Sequence, residues 1–451
     1  MGGIFKTLLE GKKYDSLKNM LGTMKAADIA EVFDSLEEDS LPLLFRLLPR
    51  DAAADTFAEM DAETQEVLIR AFSDTELREV INELYTDDAA DLVEDMPANV
   101  VTRILAQADP SLRKEINEIL HYPENSAGTM MTTEYVALSP DMTLEEAIGY
   151  LRKTGVDKET IYTCYVTEKG KLIGFVTLKD MLMTRGDDVR IRDVMDENVI
   201  SVRTGDDREE IARMLSKYNY IALPVVDDDG RLAGIVTFDD AMDVLEEEAT
   251  EDIEKMAAIT PSDKTYLRSN SFELFKHRIP WLLLLMVSAT FTGIIITGFE
   301  NALAAQVALT AFIPMLMDSG GNSGSQASVS VIRSLSLGEL EFRDLPKVVL
   351  KELGTAFYCG IALSAACFVK ILLVDRMILG NSQITITIAL VVCITLLATV
   401  ILAKLIGCVL PMLAKEMHFD PAVMASPFIT TIVDALSLLV YFSIAKALLT
   451  F

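Results

Sequence analysis

The chain has 451 residues, of which 51% are hydrophobic and 24% are charged, and its formal net charge is −28. Residues 271–451 hold eleven acidic and eleven basic side chains, so the entire negative excess lies in residues 1–270. The length allows two or three domains, and the charge divides them into an acidic part and an apolar part. This division argues against a plain soluble enzyme and against nucleic-acid binding, which requires a basic surface.

Residues 1–125 are predicted to form an acidic all-α domain. Apolar residues recur three and four positions apart between Ile29 and Pro49, as on the buried face of a helix. An Ala-Ala-Asp signature recurs at 26–28, 53–55 and 89–91. Repeated short helices without strands predict a small helical superhelix, with an ordinary helical bundle as the alternative.

Residues 126–247 change to alternating strands and helices, and the pattern occurs twice. The segment LIGFVTLKDML at 172–182 matches LAGIVTFDDAM at 232–242. The segment MTTEYVAL at 131–138 matches MDENVISV at 195–202, which is a slightly longer spacing. The difference predicts a short insertion in the first copy, near residues Thr154 to Thr163.

This repeat resembles a tandem pair of CBS domains, at 126–186 and 187–247. The resemblance implies an α/β regulatory module that packs as a pair and binds ATP or another adenine nucleotide. In that family a Thr-x-x-Asp turn commonly holds the ribose, and it falls here at Thr177 with Asp180 and at Thr237 with Asp240. The alternative is that these residues only cap the helices that follow them.

The second CBS copy leads into an acidic segment, 239–270, predicted to begin with a long helix. Lys255 is the one base of the helical part, and its acids are Asp239, Asp240, Asp243, Glu246, Glu247, Glu248, Glu251, Asp252 and Glu254. Like charges three or four residues apart on a helix repel each other, so something should neutralise them. Either the helix is a solvated linker, or divalent cations bridge it to acids of the preceding domains.

Residues 271–451 are predicted to form an all-α membrane domain. The segment 279–299 carries no charge over 21 residues, and about 20 apolar residues are enough to cross a bilayer. Further apolar segments follow at 302–332, 353–374, 384–413 and 421–450. The sequence therefore predicts five transmembrane helices at the end of a multidomain chain.

The basic residues of the connecting loops predict the orientation. One set of alternate loops holds Lys276, Arg278, Arg333, Arg343, Lys347, Lys351 and Lys415. The other set holds a single internal base, Arg376. The positive-inside rule then places the N-terminus in the cytoplasm and the C-terminus outside, as expected for a multi-pass protein of the cell inner (plasma) membrane.

A glycine-rich polar run, DSGGNSGSQ at 318–326, interrupts the second apolar segment. Such a run cannot face lipid. It opens the helix or lets helix backbones approach closely, and it brings carboxylate and amide oxygens beside a path. The alternative is tight helix packing with hydrogen bonds between helices.

Asp434 is a second candidate, because it lies about 20 Å along a helix from Pro421 and therefore deep in the membrane. A lone carboxylate there costs several kcal/mol unless it meets a cation, a base or water. Its alternatives are a protonated packing residue or a partner of Lys404. Lys404 itself is close enough to the end of its span to reach the cytoplasm by snorkelling.

Two symmetry-related copies of Asp434 would neutralise a divalent ion that one copy cannot. Homodimers are the commonest assemblies, and a two-fold axis would place both carboxylates around one ion. Mg²⁺ keeps several of its waters and is usually held through one or two carboxylates. An oxygen-only site suits hydrated Mg²⁺ better than Zn²⁺ or Cu⁺, because no His or Cys cluster accompanies it.

The chain consists, in order, of an acidic helical domain, paired CBS domains, an acidic helix and spans that carry PMLMDSGGNSGSQ and FDPAVMASPFITTIVDA. This whole-chain order resembles that of the MgtE family of magnesium channels. The resemblance implies a homodimer with a cation pore on its two-fold axis. It also implies that cytosolic Mg²⁺ closes the pore through the acidic helix, which is the plug helix of the family, and that low Mg²⁺ opens it.

The resemblance also assigns residues. Asp434 matches the selective pore carboxylate and Asp420 an acid at the cytoplasmic mouth. The pore-lining motif comprises Asp318, Gly320, Gly321, Asn322, Gln326, Ser426 and Pro427. The cytosolic Mg²⁺ sensor comprises Asp55, Asp87, Asp91, Glu209, Asp240, Asp243, Glu248, Glu251 and Asp252.

The sequence thus favours a passive channel for magnesium uptake, without enzymatic activity. A broader divalent-cation importer or a Na⁺-coupled Mg²⁺ exporter is the alternative within transport. A membrane-anchored adenylate sensor is an alternative of another class, but it leaves Asp434 and the polar run unexplained. No Walker A motif is present to couple transport to ATP hydrolysis.

Overall fold

The computed structural model describes residues 2–186, 188–262, 264, 266, 269–381, 383–424 and 426–449. The chain divides into two compact units, Met1–Glu246 and Glu247–Phe451. Residue 187, the predicted first residue of the second CBS domain, and residue 450, the predicted end of the last span, lie outside the described residues.

The first part of the first unit is helical, as predicted. Its helices are α1 (Gly2–Glu10), α2 (Tyr14–Leu21), α3 (Ala26–Asp34), α4 (Leu41–Phe45), α5 (Arg50–Ala58), α6 (Ala62–Ala71), α7 (Asp74–Ile81), α8 (Thr86–Asp95), α9 (Ala98–Gln107) and α10 (Pro110–Ile119). Helix α3 packs on α5, α5 on α7 and α7 on α9. This stacking of alternate helices agrees with a superhelix, in which each repeat contacts its neighbours along the chain.

Local sequence explains where these short helices begin. The Asp61 carboxylate accepts the Thr64 N–H at 2.8 Å and so caps α6. Ser73 and Glu76 form a capping box at the start of α7. The helices then bury one apolar core, in which the ring of Phe45 contacts Phe57 and Phe72.

The second part of the first unit contains two matching three-stranded sheets among the described residues. The elements are β1 (Ala137–Leu138), α11 (Leu144–Thr154), β2 (Thr163–Glu168), β3 (Lys171–Thr177), α12 (Leu178–Met183), α13 (Ile191–Val194), β4 (Val202–Arg203), α14 (Arg208–Tyr218), β5 (Ala222–Val226) and β6 (Leu232–Thr237). In each sheet the first strand pairs in parallel with the second, and the second pairs antiparallel with the third. The repeat seen in the sequence is therefore a repeat of structure.

Equivalent glycines let the two copies interlock. A Cβ on Gly174 would lie 2.7 Å from the Asp196 carbonyl oxygen, and one on Gly234 would lie 2.6 Å from the Thr132 carbonyl oxygen. Either contact is too close for a side chain, so the close approach of the backbones requires glycine at both places. Each copy thus packs the start of the other against its last strand.

Helix α15 (Phe238–Met256) leaves the last strand and continues into the second unit. The later helices are α16 (Ser271–Gly298), α17 (Glu300–Ala305), α18 (Ile313–Ser336), α19 (Leu345–Lys370), α20 (Ile386–Glu416) and α21 (Ser426–Leu448). Short 3₁₀ segments precede α18, α19 and α21, at Val307–Phe312, Phe342–Asp344 and Pro421–Met424, and a π-helix at Ile371–Ile378 extends α19.

Within the described residues, four helical segments are long and apolar enough to cross a membrane: Ser271–Gly298, Phe342–Ile378, Ile386–Glu416 and Pro421–Leu448. Helix α18 has 24 residues, or about 36 Å, but the polar run lowers its apolar character. The expectation of one continuous span over 302–332 was wrong, because the helix breaks at Gln306 and restarts at Ile313.

Helix α18 lies against both α20 and α21, and its glycines make this possible. A Cβ on Gly320 would meet Thr399 of α20 at 2.7 Å and Val433 of α21 at 2.9 Å. A Cβ on Gly407 of α20 would lie 2.3 Å from the carbonyl oxygen of Gly324. The glycine-rich run therefore permits close helix packing, and α18 stays helical through it.

Candidate functional site

Helix α18 has two distinct faces along the polar run. Gly320 and Gly321 are buried against the neighbouring helices. Asp318, Asn322 and Gln326 follow one another at intervals of four and are exposed in the single chain. This spacing puts the three polar side chains on one stripe of the helix, which we call the polar stripe.

Asp434 lies on α21, and its Oδ1 atom is buried with no hydrogen-bond partner among the described residues. The hydroxyls of Ser437 and Thr399 are likewise buried without a hydrogen-bond partner among the described residues. Both flank the same glycine, Gly320. Asp318 is close enough to Asp434 to repel its carboxylate. A buried carboxylate without a donor is costly, so this position calls for a cation or water.

Lys404 does not serve as the partner of Asp434, and it does not snorkel. Its side chain is 5% exposed, and its Nζ atom lies 3.8 Å from Oε2 of Glu352 on α19. The sequence missed this partner because it began the third span near residue 353, whereas α19 begins at Leu345 and so includes Glu352. The buried pair joins α19 to α20.

The first residues of α21 are held by a hydrogen bond to α18 and by one within α21, and Asp420 before them forms a short ion pair. The hydroxyls of Ser325 and Ser426 are 2.8 Å apart, and the Thr431 hydroxyl donates to the Pro427 carbonyl oxygen at 3.0 Å. Asp420 accepts the Ala422 N–H at 2.8 Å through Oδ1. Its Oδ2 atom lies 2.6 Å from the Nζ atom of Lys255, near the end of α15.

The acids of α15 divide between the two units. Asp240 and Asp243 belong to the first, whereas Glu248, Glu251 and Asp252 belong to the second. In the second unit, Glu251 pairs with Lys255 one turn later. The Ser336 hydroxyl at the end of α18 donates to Asp252 at 2.8 Å.

Buried carboxyl groups gather inside the first unit. We call the following residues the acidic cluster: Asp87, Asp88 and Asp91 of α8, Glu159, and Asp240 of α15. Burial, followed by repulsion from nearby carboxylates, raises the pKa of Asp88, Asp91 and Glu159 to about 7 each. Burial likewise raises the pKa of Asp240 to about 6 and that of Asp87 well above its usual range.

Of the acidic cluster, the sequence predicted Asp87, Asp91 and Asp240 as Mg²⁺-sensor residues. It missed Asp88 and Glu159. Asp88 directly follows a predicted member, and Glu159 lies in the insertion near Thr154 to Thr163 that distinguishes the first CBS copy. That insertion was the available signal. Thr86 anchors α8 nearby, since its hydroxyl donates to Glu134 at 2.7 Å.

Other predicted sensor residues lie at or beyond the edge of the acidic cluster. Asp55 repels Asp88 across the edge. Asp243, together with Asp239, acts on Glu59, whose pKa is raised by burial and then by these charges. Glu209 lies on α14, where it forms an ion pair with Arg213.

In the part of the chain that the structure describes, no three His, Cys, Asp or Glu side chains stand close enough to hold an ion as they are. The carboxylates of the acidic cluster are near enough to repel one another but are not gathered for direct ligation. A hydrated ion that is bound through its waters accepts carboxylates that stand further apart than direct ligands.

The two Thr-x-x-Asp turns form local hydrogen bonds. The Thr177 hydroxyl accepts the Asp180 N–H at 3.1 Å and donates to its carboxylate at 2.5 Å, so Thr177 caps α12. The Thr237 hydroxyl donates to the Asp240 carboxylate in the same way. Helix capping is thus present at the first turn, and ribose binding stays a prediction for both.

Models of three known families match the chain. The model described as a divalent cation transporter matches residues 313–444, the MgtE intracellular N domain matches 24–125, and the CBS domain matches 127–186 and 191–247. The matched parts define a multi-pass membrane transporter with a helical and CBS-containing soluble part.

Relatives extend this similarity over nearly the whole chain. The chain is 36% identical to the magnesium transporter MgtE of Thermus thermophilus, covering 96% of this chain and 95% of that protein. It is 32% identical to the magnesium transporter MgtE of Bacillus subtilis, covering 98% and 95%. The chain therefore belongs to the MgtE family, which confirms the resemblance drawn from the sequence and the expectation that it is not an enzyme.

Two solved structures resemble the soluble part. One is the cytosolic domain of the Mg²⁺ channel MgtE in complex with ATP, with 34% identity, a TM-score of 0.51 and coverage of 54% of this chain and 100% of that one. The other is the soluble part of a magnesium transporter, with 30% identity, a TM-score of 0.51 and coverage of 55% and 98%.

Proposed function

We propose that this protein carries Mg²⁺ across the plasma membrane as a selective, Mg²⁺-gated channel for magnesium uptake. The observation that carries the proposal is a carboxylate oxygen of Asp434 that is buried without a hydrogen-bond partner among the described residues, in a helix long and apolar enough to cross a membrane. Relatives of similar length are magnesium transporters, and a hydrated divalent cation is the partner that this carboxylate lacks.

The pore requires two copies of the chain. Each copy contributes one Asp434, and two carboxylates on a two-fold axis match the charge of one Mg²⁺. The polar stripe of Asp318, Asn322 and Gln326 is exposed in the single chain, so its oxygens are available to an aqueous path. Oxygen ligands that leave the ion its waters suit Mg²⁺.

Membrane potential supplies the driving force. With the N-terminus in the cytoplasm and the C-terminus outside, the permeating ion enters a negative compartment. A unit charge moved through 100 mV gains about 2.3 kcal/mol, so a divalent ion gains about 4.6 kcal/mol. Uptake then needs no coupling to ATP hydrolysis.

Cytosolic Mg²⁺ closes the channel by binding to the acidic cluster. Carboxylates whose pKa values are raised by burial and mutual repulsion are stabilised when a divalent cation joins them. The cation would hold Asp240, at the start of α15, to Asp87 and Asp91 of α8. Helix α15 continues into the second unit. Mg²⁺ binding at its start can therefore move its far end, which acts as a plug on the membrane helices.

ATP is proposed as a ligand of the CBS pair. The related cytosolic domain was solved in complex with ATP, and the Thr177–Asp180 and Thr237–Asp240 turns are present in both copies. Because these turns also carry hydrogen bonds of their own, a ribose would have to share or replace them.

The test is Mg²⁺ influx into liposomes that contain the purified protein and a Mg²⁺-sensitive dye. Asp434→Asn keeps the size of the side chain and removes its charge, and influx should fall at least tenfold, as for loss of a desolvated cation contact worth about 1.4 kcal/mol or more. Asp344→Asn is the matched control. Asp344 is an acid of the second unit, and it forms an ion pair with the exposed Lys347. Unchanged influx in Asp434→Asn would remove the pore assignment.

The same liposomes separate the alternatives. A magnesium channel predicts weak competition by Co²⁺ and Ni²⁺ and no response to a Na⁺ gradient. A broad importer predicts strong competition by both metals, and a Na⁺-coupled exporter predicts flux that follows the Na⁺ gradient. An anchored sensor predicts no protein-dependent flux at all.

A further inference from the structure

Lys255 forms an ion pair with Asp420, the acid that the family resemblance assigns to the mouth of the pore. Its Nζ atom lies 2.6 Å from Oδ2 of Asp420, and it also forms an ion pair with Glu251. Both partners are mostly shielded, with side chains 24% and 35% exposed for Lys255 and Asp420. Asp420 Oδ1 accepts the Ala422 N–H, so both oxygens of the mouth carboxylate are engaged.

The ammonium group stands among acids that would otherwise repel. Asp252 lies close enough to Asp420 and Glu251 for their carboxylates to repel it. Lys255 is the only basic residue of α15. Without it, Glu251, Asp252 and Asp420 would form an uncompensated group of three carboxylates where the helix meets the membrane helices.

Further contacts hold the end of α15 in this place. The Ser336 hydroxyl of α18 donates to Asp252 at 2.8 Å. Met256 packs against Ile332 of α18 and Ala422 of the 3₁₀ segment before α21. The ion pair is therefore part of a formed contact between the helix end and the pore-mouth segment.

We propose that Lys255 is a tethered cation that takes the place of a metal ion at Asp420 while α15 is docked. This inference rests on the proposed function. While the ammonium group holds Asp420, docking of α15 needs no divalent cation there, and undocking of α15 frees that carboxylate for a permeating ion. Lys255 acts through Asp420, so it is a positioning residue that sets how much internal Mg²⁺ is needed for closure.

Lys255→Met in the full-length protein tests this in liposomes with varied internal Mg²⁺. The three carboxylates then repel until a divalent cation replaces the lost charge, so the internal Mg²⁺ for half-closure should rise about fivefold or more. Lys255→Arg keeps the charge and should stay near wild type. Lys347→Met is the matched control, because it breaks an exposed ion pair of similar length, 2.7 Å, with Asp344.

A double variant separates charge repulsion from loss of packing. Lys255→Met combined with Asp420→Asn removes the ammonium group and one of the repelling acids, so closure should return toward the wild-type Mg²⁺ dependence. A merely structural role of the lysine side chain would leave the double variant as impaired as the single one, and that result would overturn the proposal.

Docking of α15 can be measured without transport, by oxidative crosslinking of Met256→Cys with Ala422→Cys. Each single substitution is the control for the five native cysteines of the chain. The crosslink should form at a lower Mg²⁺ concentration when Lys255 is present than in the Lys255→Met background. Equal crosslinking in both backgrounds would overturn the inference. Absence of Mg²⁺-dependent closure in wild type would instead contradict the proposed function, and the crosslink would still decide the role of Lys255.

Discussion

The acidic cluster and the surroundings of Asp434 both bury carboxylates, but they differ in how many other acids act on each carboxylate. Asp88, Asp91 and Glu159 face other acids, which adds repulsion to burial. Among the described residues, Asp434 is repelled by one acid, Asp318. Crowded acids respond steeply to a cation or to protons, which suits sensing, whereas sparse oxygens bind a passing ion without trapping it.

If this contrast is right, the acidic cluster should make the soluble part sensitive to pH when Mg²⁺ is absent. The pKa values of Asp88, Asp91 and Glu159 are about 7 when folded and near 4 when unfolded. Between about pH 4 and about pH 7 the folded state therefore binds more protons, so the free energy of unfolding falls as pH rises through this window. Each unit of raised pKa corresponds to about 1.4 kcal/mol.

Thermal unfolding of the full-length protein in metal-free detergent checks this. The melting temperature of the soluble part should fall from about pH 5 to about pH 8, and Mg²⁺ should restore more of it at the higher pH. Glu76, whose pKa is lowered to about 2 by Arg46 and Ser73, contributes only at more acidic pH. A melting temperature that rises over this range would contradict the account of the acidic cluster.

The membrane helices should instead be sensitive to volume. Gly407→Ala places a methyl group 2.3 Å from the Gly324 carbonyl oxygen, and a backbone cannot move aside as a flexible side chain can. Overpacking of this kind costs about 1–3 kcal/mol. The melting temperature of the detergent-solubilised protein should fall, while Gly354→Ala, which meets nothing within 4 Å, should not lower it. Equal melting temperatures would show that α18 and α20 are not closely packed.

A smaller effect is expected at the first CBS turn. Thr177→Val removes the cap of α12, which should lower stability by about 1 kcal/mol. Thr102→Val is the control, since the exposed Thr102 hydroxyl only donates to the Ala98 carbonyl oxygen within its own helix. Titration with ATP sharpens the comparison: a loss of ATP affinity beyond the small loss of stability would favour ribose binding, and unchanged affinity would leave Thr177 as a cap.

The sequence was sufficient for features that repeat or persist along the chain. Helical periodicity predicted the first domain, two copies of one pattern predicted the CBS pair, and long apolar runs predicted the membrane helices. Asp434 stood out because a charge inside an apolar run is rare.

Features that depend on distant contacts were not predictable in the same way. The meeting of Glu159 with Asp88 joins an insertion to a helix far away in the chain, and on a strongly acidic surface no single acid is conspicuous. The third span was predicted to begin just after Glu352 because Glu352 is charged. In the structure, Glu352 lies within α19 and forms a buried ion pair with Lys404. The pairing of Lys255 with Asp420 spans 165 positions and leaves no local signal.

The most direct measurement compares the two regions in one assay, as Mg²⁺ influx into liposomes at low and at high internal Mg²⁺. Wild type should conduct at low and close at high internal Mg²⁺. Asp434→Asn should be silent at both, whereas a variant with Asp91→Asn and Asp240→Asn should conduct at both. Influx through Asp434→Asn, or normal closure of the double variant, would contradict the division between a conducting carboxylate and a sensing cluster.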